Sequence, residues 1–169
     1  VWVKADRDSL ETAIRRQAFA RGFKQKVVTA PDLADLVERL LAQKCLDLLG
    51  LARRAGGAAY GAERVEQAIR QGPLPFLIAA SDGSPAGRAQ MARLMFGLWG
   101  QEPRLIGCFT AADLGVAFGV APVVYAVLHH EGMARRWMTD IDRLAGFCAI
   151  TPASWPAGGD QRRLASDGV

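Results

Sequence analysis

Apolar residues along this chain follow two regimes. Up to Gly56-Gly57 they recur at helical spacing, and beyond Gly61 short apolar runs alternate with amphipathic stretches. Leu10, Ile14 and Ala18 share one face of a helix predicted over 9–23, and Phe19 and Phe23 share a second, slightly rotated face. Both phenylalanines are read as core. Asp8 is the expected N-cap, with Glu11 three residues on completing a capping box, and Gly22 weakens the last turn. Trp2-Val3, ahead of that helix, reads as the tail of a strand. Pro31 suits the first turn of a second helix. Leu33, Leu36, Val37, Leu40, Leu41, Leu48, Leu49 and Leu51 keep its period until Gly56-Gly57 ends it. Its ~24 residues are about twice the usual ~11–12. One rod therefore serves two modules, the first ending near Gln43 and the second starting near Cys45.

The remainder predicts helices over 61–71, 85–96, 110–118 and 131–147, with apolar strands over 76–80, 104–108 and 123–128. Thr110, with Asp113 three residues on, caps one of these helices. Strands that are apolar throughout are covered on both faces. The fold class is therefore α/β: a three-layer αβα sandwich over 44–150, preceded by a small basic helical module over 1–43. Pro, Gly, Ser, Asp and Arg dominate 151–169, which predicts a disordered tail in which Trp155 is able to dock locally.

Composition narrows the class. Half of the 169 residues are hydrophobic, enough for a substantial core. The longest apolar stretch, 116–128, is broken by Gly119 and Pro122 and falls short of the ~18–20 residues that cross a bilayer. Val1 to Arg7 contain no apolar signal-type run, so the expectation is a cytoplasmic protein without a membrane partner. Cys45, Cys108 and Cys148 are odd in number, widely spaced and outside any Cys-x-x-Cys pair, which predicts free thiols and neither a disulfide framework nor a zinc site. No cofactor motif is present. The net charge of +4 is modest, but its distribution is not. Between Thr12 and Pro31 stand Arg15, Arg16, Arg21, Lys24 and Lys26 with no acidic residue, a run suited to backbone phosphates.

Candidate chemistry concentrates at Gly56-Gly57 and Gly61, ahead of a helix start. Glycine allows close backbone approach there, and free N–H groups attract phosphate. The segment lacks the Gly-Lys-Ser/Thr ending of a P-loop. No strand clearly leads into it, so it is no dinucleotide fingerprint either. Arg53 and Arg54 close the long helix beside it, where cations suit the helix dipole and are available to a polyanion. Ser81-Asp82-Gly83-Ser84-Pro85 leaves the carboxyl end of a strand but reads as a turn, because Asp82 has no second carboxylate near it in sequence. His129 and His130 point to opposite sides of an extended chain and make a poor metal pair. Gly-x-Ser-x-Gly and His-Glu-x-x-His are both absent, which argues against an enzyme.

Two family resemblances add to this. Leu48-Leu49-Gly50-Leu51-Ala52-Arg53-Arg54-Ala55-Gly56, the stretch Gly61-Ala62-Glu63-Arg64-Val65-Glu66-Gln67, the strand Phe76-Leu77-Ile78-Ala79-Ala80-Ser81-Asp82 and the unit 114–127 together resemble RNA-binding domains of the ribosomal-protein L-seven-Ae type. The likeness covers 45–147 and implies an αβα sandwich that binds structured RNA, typically kink-turns, or ribosomal RNA. The family's RNA-contacting motif is Gly-x-Asn-Glu followed three residues later by Lys. Gly61 is kept here, while Glu63, Arg64 and Gln67 occupy the other three positions. The family's second contact loop reads Val120-Ala121-Pro122, short and apolar, with Ala121 and Pro122 placed to pack on an exposed base. The stretch from Trp2-Val3 to Ala18-Phe19-Ala20-Arg21-Gly22-Phe23 resembles the C-terminal half of the YlxR family, small bacterial nucleic-acid-binding proteins. That family's Cys-rich N-terminal half has no counterpart here, which implies an incomplete first module. The expected function is non-catalytic recognition of structured RNA. The alternatives are a DNA-binding, nucleoid-type regulator acting on duplex DNA, and an adaptor docking on an RNA-processing ribonucleoprotein.

Overall fold

The structure, a computed structural model, describes residues 2–155. The apolar runs form β2 (Phe76–Ala79) and β4 (Tyr125–Leu128), in which every residue is buried. They lie at the centre of a mixed sheet of order β1-β4-β2-β3, flanked by β1 (Ala58–Tyr60) and β3 (Arg104–Ile106). β2 runs parallel to β3 and antiparallel to β4, and β4 runs antiparallel to β1.

Both sheet faces are covered, which is why the central strands are apolar at every position. Phe76, Ile78, Ala126 and Leu128 face α3 (Leu33–Arg54), α6 (Ala111–Phe118) and α7 (Glu131–Leu144). The alternate residues Leu77, Ala79, Tyr125 and Val127 face α4 (Ala62–Gln71) and α5 (Pro85–Trp99). The three-layer αβα architecture is thus present. Trp137 of α7 is fully buried, stacks on Phe76 at 5.1 Å and donates its Nε1–H to the Cys45 carbonyl at 3.0 Å, which clamps α7 to α3. Beside it, buried Asp140 accepts from Lys44 and Arg143, each at 2.9 Å. Burial raises the Asp140 pKa, but hydrogen bonds and charge from Lys44 and then Arg143 outweigh it and leave the carboxyl below its ordinary range.

The predicted helix over 9–23 is two helices, α1 (Arg7–Arg15) and α2 (Ala18–Phe23), broken where Gln17 adopts a left-handed φ of 51°. The break accounts for the two rotated apolar faces, since each short helix turns its own stripe. The N-cap is Asp6, which accepts from the Ser9 N–H at 2.7 Å, and Asp8 lies inside the first turn. Trp2 joins no strand and is fully exposed. Phe19 is only half-buried and Phe23 is 57% exposed, so neither is core, because α2 buries no residue. Arg7 anchors α1 to α3 through Asp35 at 2.7 Å and Glu38 at 2.6 Å. α3 begins at Leu33, after Pro31, and runs unbroken past residue 43.

Two further segments depart from expectation. The stretch between the glycines holds β1, a strand that leads into Gly61. Three residues, two of them alanine, are too short and too plain a pattern to stand out in sequence. At the other end, 151–155 is held in place and not disordered. Gly107 N–H donates to the Ile150 carbonyl, the Thr151 hydroxyl donates to the Leu105 carbonyl, and Trp155 is buried, each hydrogen bond being 2.8 Å. The rest of the predicted tail, 156–169, lies outside the described residues.

Candidate nucleic-acid interface

β1 ends by presenting Tyr60 beside the C-terminal turn of α3. The Tyr60 ring stacks on Phe118 of α6, with centroids 4.7 Å apart and planes at 22°. The guanidinium carbons of Arg53 and Arg64 lie 5.8 Å and 5.6 Å from the Tyr60 centroid. Both arginines are exposed, and among the described residues neither comes within ion-pair distance of a carboxylate. A tyrosine face between two cations keeps both charges turned toward one place.

Gly61 follows at φ 84°, a conformation that favours glycine. As N-cap of α4 it supplies no side-chain acceptor, so the first-turn N–H groups of Ala62, Glu63 and Arg64 have no described partner. Helical spacing sets Glu63, Arg64 and Gln67 on the exposed side of α4, opposite buried Val65, Ala68 and Ile69. Across from them α6 ends at Gly119 in a left-handed turn, and exposed Val120-Ala121-Pro122 follows. The loop folds tightly back on α6: a Cβ on Gly115 would sit 3.0 Å from the Ala121 carbonyl. Between these elements lies an open hollow of about 720 Å³, lined among others by Tyr60, Gly61, Arg64, Ser84, Ala121, Pro122 and Tyr125.

Of the residues singled out from the sequence, Gly61, Arg64, Ala121 and Pro122 therefore meet at one hollow, with Arg53 joined to them through Tyr60. Glu63 and Gln67 flank it on α4, and exposed Arg54 ends α3 one residue beyond Arg53. Tyr60, Phe118, Ser84 and Tyr125 were not singled out. The one signal for Tyr60 was an aromatic placed directly before Gly61.

Arg15, Arg16, Arg21, Lys24 and Lys26 lie elsewhere. All five are exposed, and none pairs with an acid among the described residues. Lys26 borders a smaller hollow of about 320 Å³ together with Ile14, Gln17, Phe19 and Val27. α1 is fastened at Asp35 and Glu38, and Asp35 is ~27 Å from Arg53 along α3 at ~1.5 Å per residue.

Other candidates are structural. Asp82 Oδ1 accepts from the Ala111 N–H at 2.8 Å and caps α6, and His130 Nδ1 accepts from the Met133 N–H at 3.4 Å and caps α7. Cys45, Cys108 and Cys148 are free thiols, and burial pushes Cys45 and Cys108 up to about 12, which suppresses thiolate reactivity. No group of three or more His, Cys, Asp or Glu among the described residues is placed to hold a metal ion. No described helix is long and apolar enough to cross a membrane.

No protein-family model matches the sequence, and no curated protein matches it. Among solved structures, a protein of unknown function from Bacillus halodurans is similar to this chain with 28% identity and a TM-score of 0.50, over 59% of this chain and 97% of its own. A 15.5 kD RNA-binding protein from Giardia lamblia aligns over 64% of this chain and 90% of its own, with 18% identity and a TM-score of 0.48. Nearly all of the Bacillus protein thus corresponds to part of this chain, which carries additional residues beyond the shared fold.

Proposed function

We propose that this chain is a non-catalytic RNA-binding protein that recognises structured RNA by shape, as an accessory to translation or RNA processing. The observation that carries this is the Tyr60 rim, where two exposed arginines, unpaired among the described residues, flank an aromatic face above a hollow with apolar Ala121-Pro122 on its other side. Guanidinium groups hold phosphates bidentately, and an apolar and aromatic cleft accepts an unstacked base. Residues 44–150 form the RNA-binding unit in this reading, and 1–43 form a YlxR-like basic module that adds backbone contacts through Arg15, Arg16, Arg21, Lys24 and Lys26. The resemblance to the L-seven-Ae type favours kink-turns as the RNA class. At the motif positions the Arg64 guanidinium attracts phosphate, while the Glu63 carboxylate opposes it.

The test is fluorescence anisotropy of the full chain with a kink-turn RNA, an unkinked RNA duplex and a DNA duplex of equal length, at low and moderate salt. The expected result is kink-selective binding that survives moderate salt and weakens in Arg64→Glu. Equal, salt-labile binding to all three ligands would replace this reading with a general polyanion binder acting on duplex DNA. The five exposed cations between Arg15 and Lys26, away from the hollow, favour that second reading.

A further inference from the structure

The parallel pair β2 and β3 is joined through α5, and both strands end at the same sheet border, where the segments 80–84 and 107–110 leave it. Outside the carboxyl ends of parallel strands is where α/β sheets place ligands. The N-terminus of α5 stands over this border. Ser84 Oγ accepts from the Gly87 N–H, Pro85 has no N–H, and the Ala86 N–H has no described acceptor.

In the next turn Arg88 is 5% exposed. It donates to no carbonyl and pairs with no carboxylate among the described residues. Its guanidinium carbon lies 3.7 Å from the centroid of the Trp155 ring. Trp155 is itself buried and packs so closely on Gly107 that a Cβ there would strike the indole. The Tyr125 hydroxyl closes another side, against Gly87. The indole that covers the guanidinium sits on Gly107, directly after β3, which brings Arg88 to this same border, in keeping with the lean of helical side chains towards the N-terminus of their helix. Burial lowers the Arg88 pKa, as it does for a cation without a counter-charge. Asp82, the acid of the adjoining loop, already caps α6. The indole face offsets part of the cost of desolvation but provides no acceptor for the guanidinium N–H groups. A tetrahedral oxyanion provides two acceptors in the fork geometry of arginine.

We infer that Arg88, roofed by Trp155 at the N-terminus of α5, is a binding site for a phosphate-type oxyanion, separate from the Tyr60 hollow and joined to it through Ser84 and Tyr125, which line that hollow. The oxyanion is either a backbone phosphate of an RNA seated in the hollow or a free inorganic phosphate. Only the first source rests on the RNA-binding reading.

Two measurements on the full chain separate the sources. The first is thermal unfolding in inorganic phosphate against chloride of equal ionic strength, for the wild type and Arg88→Met. The wild-type midpoint is expected to rise with phosphate, and Arg88→Met is expected to unfold at or above the wild-type midpoint in chloride and to show no phosphate response. The second is the salt dependence of RNA affinity, whose slope is expected to fall by about 0.7–0.9 in Arg88→Met if the site holds a backbone phosphate. A phosphate response alone identifies the free ion, and a slope change alone identifies RNA. Should Arg88→Met misfold, Arg88→Lys replaces it: charge and fold are kept, the fork is lost, and both responses shrink. Identical behaviour of wild type and variant in both measurements overturns the site, whatever Arg64→Glu does to RNA affinity.

Discussion

The two basic surfaces of this chain are built in opposite ways. At the Tyr60 rim, Arg53 ends α3, Arg64 opens α4, and the apolar counterpart comes from the loop after α6, so three distant segments converge on one aromatic ring. These elements pack on the sheet, and their geometry is fixed by the core. Around α1 and α2 the cations lie within twelve positions of one another, on the helices, their C-caps and the segment just after them, and α1 buries only Leu10 while α2 buries nothing. A surface fixed by a core can select a shape. A cluster of cations without acids, on lightly supported short helices and turns, attracts any polyanion.

Charge reversal at the assembled rim is the strongest test of this contrast. Arg64→Glu or Arg53→Glu is expected to lower RNA affinity about tenfold to a hundredfold, since a charge-assisted hydrogen bond is worth ~1.5–3 kcal/mol. The loss in anisotropy titrations should be greatest for the kinked RNA. Replacing Arg15, Arg16 and Arg21 together with alanine should have a smaller effect at moderate salt. It should weaken kinked RNA, duplex RNA and DNA alike and lower the salt slope by ~0.7–0.9 per lost phosphate contact. A selective loss for the kinked RNA would place shape recognition on α1–α2 instead and reverse the comparison.

Stability gives two smaller tests. Gln17→Gly removes a side chain from a left-handed residue, which costs roughly 1 kcal/mol, and should raise the denaturant midpoint slightly without changing RNA selectivity. Asp140 reports on the α3–α7 packing that supports the rim. Its folded pKa is depressed, so its contribution is fully present above the ordinary carboxylate pKa of ~3.9 and is lost as pH falls through the folded value. Acid titration of stability should therefore be flatter in Asp140→Asn than in the wild type over that window.

Much of the architecture was legible in the sequence because it depends on local periodicity. Phe76-Leu77-Ile78-Ala79 has no polar position to turn outwards, which fixes a strand buried on both faces and hence helices on each side. Thr110 and Asp113 form the capping box that their spacing predicts. The break at Gln17 was not legible, since no glycine or proline marks it. β1 was hidden because Ala58-Ala59-Tyr60 becomes a strand only by pairing with β4. The candidate site was half legible. Gly61, Arg64, Ala121 and Pro122 stand out at their own positions in the sequence and line one hollow, but Tyr60 acquires its place only when the sheet brings it against Phe118 and between two arginines. Docking of Trp155 is legible in the sequence and its partner Arg88 is not, because the two stand 67 positions apart and only the fold brings them together.

The path of 150–155 along β3 bears on self-association. A sheet of this order has two borders, β3 and β1. At the first, the chain spends its own Ile150 carbonyl and Thr151 hydroxyl on backbone groups of Gly107 and Leu105. An incoming strand would have to displace these bonds and lift Trp155 from its seat. At the second, β1 offers only three residues between glycines, too short a template for stable strand addition. Both borders are thereby blunted against amyloid-like stacking.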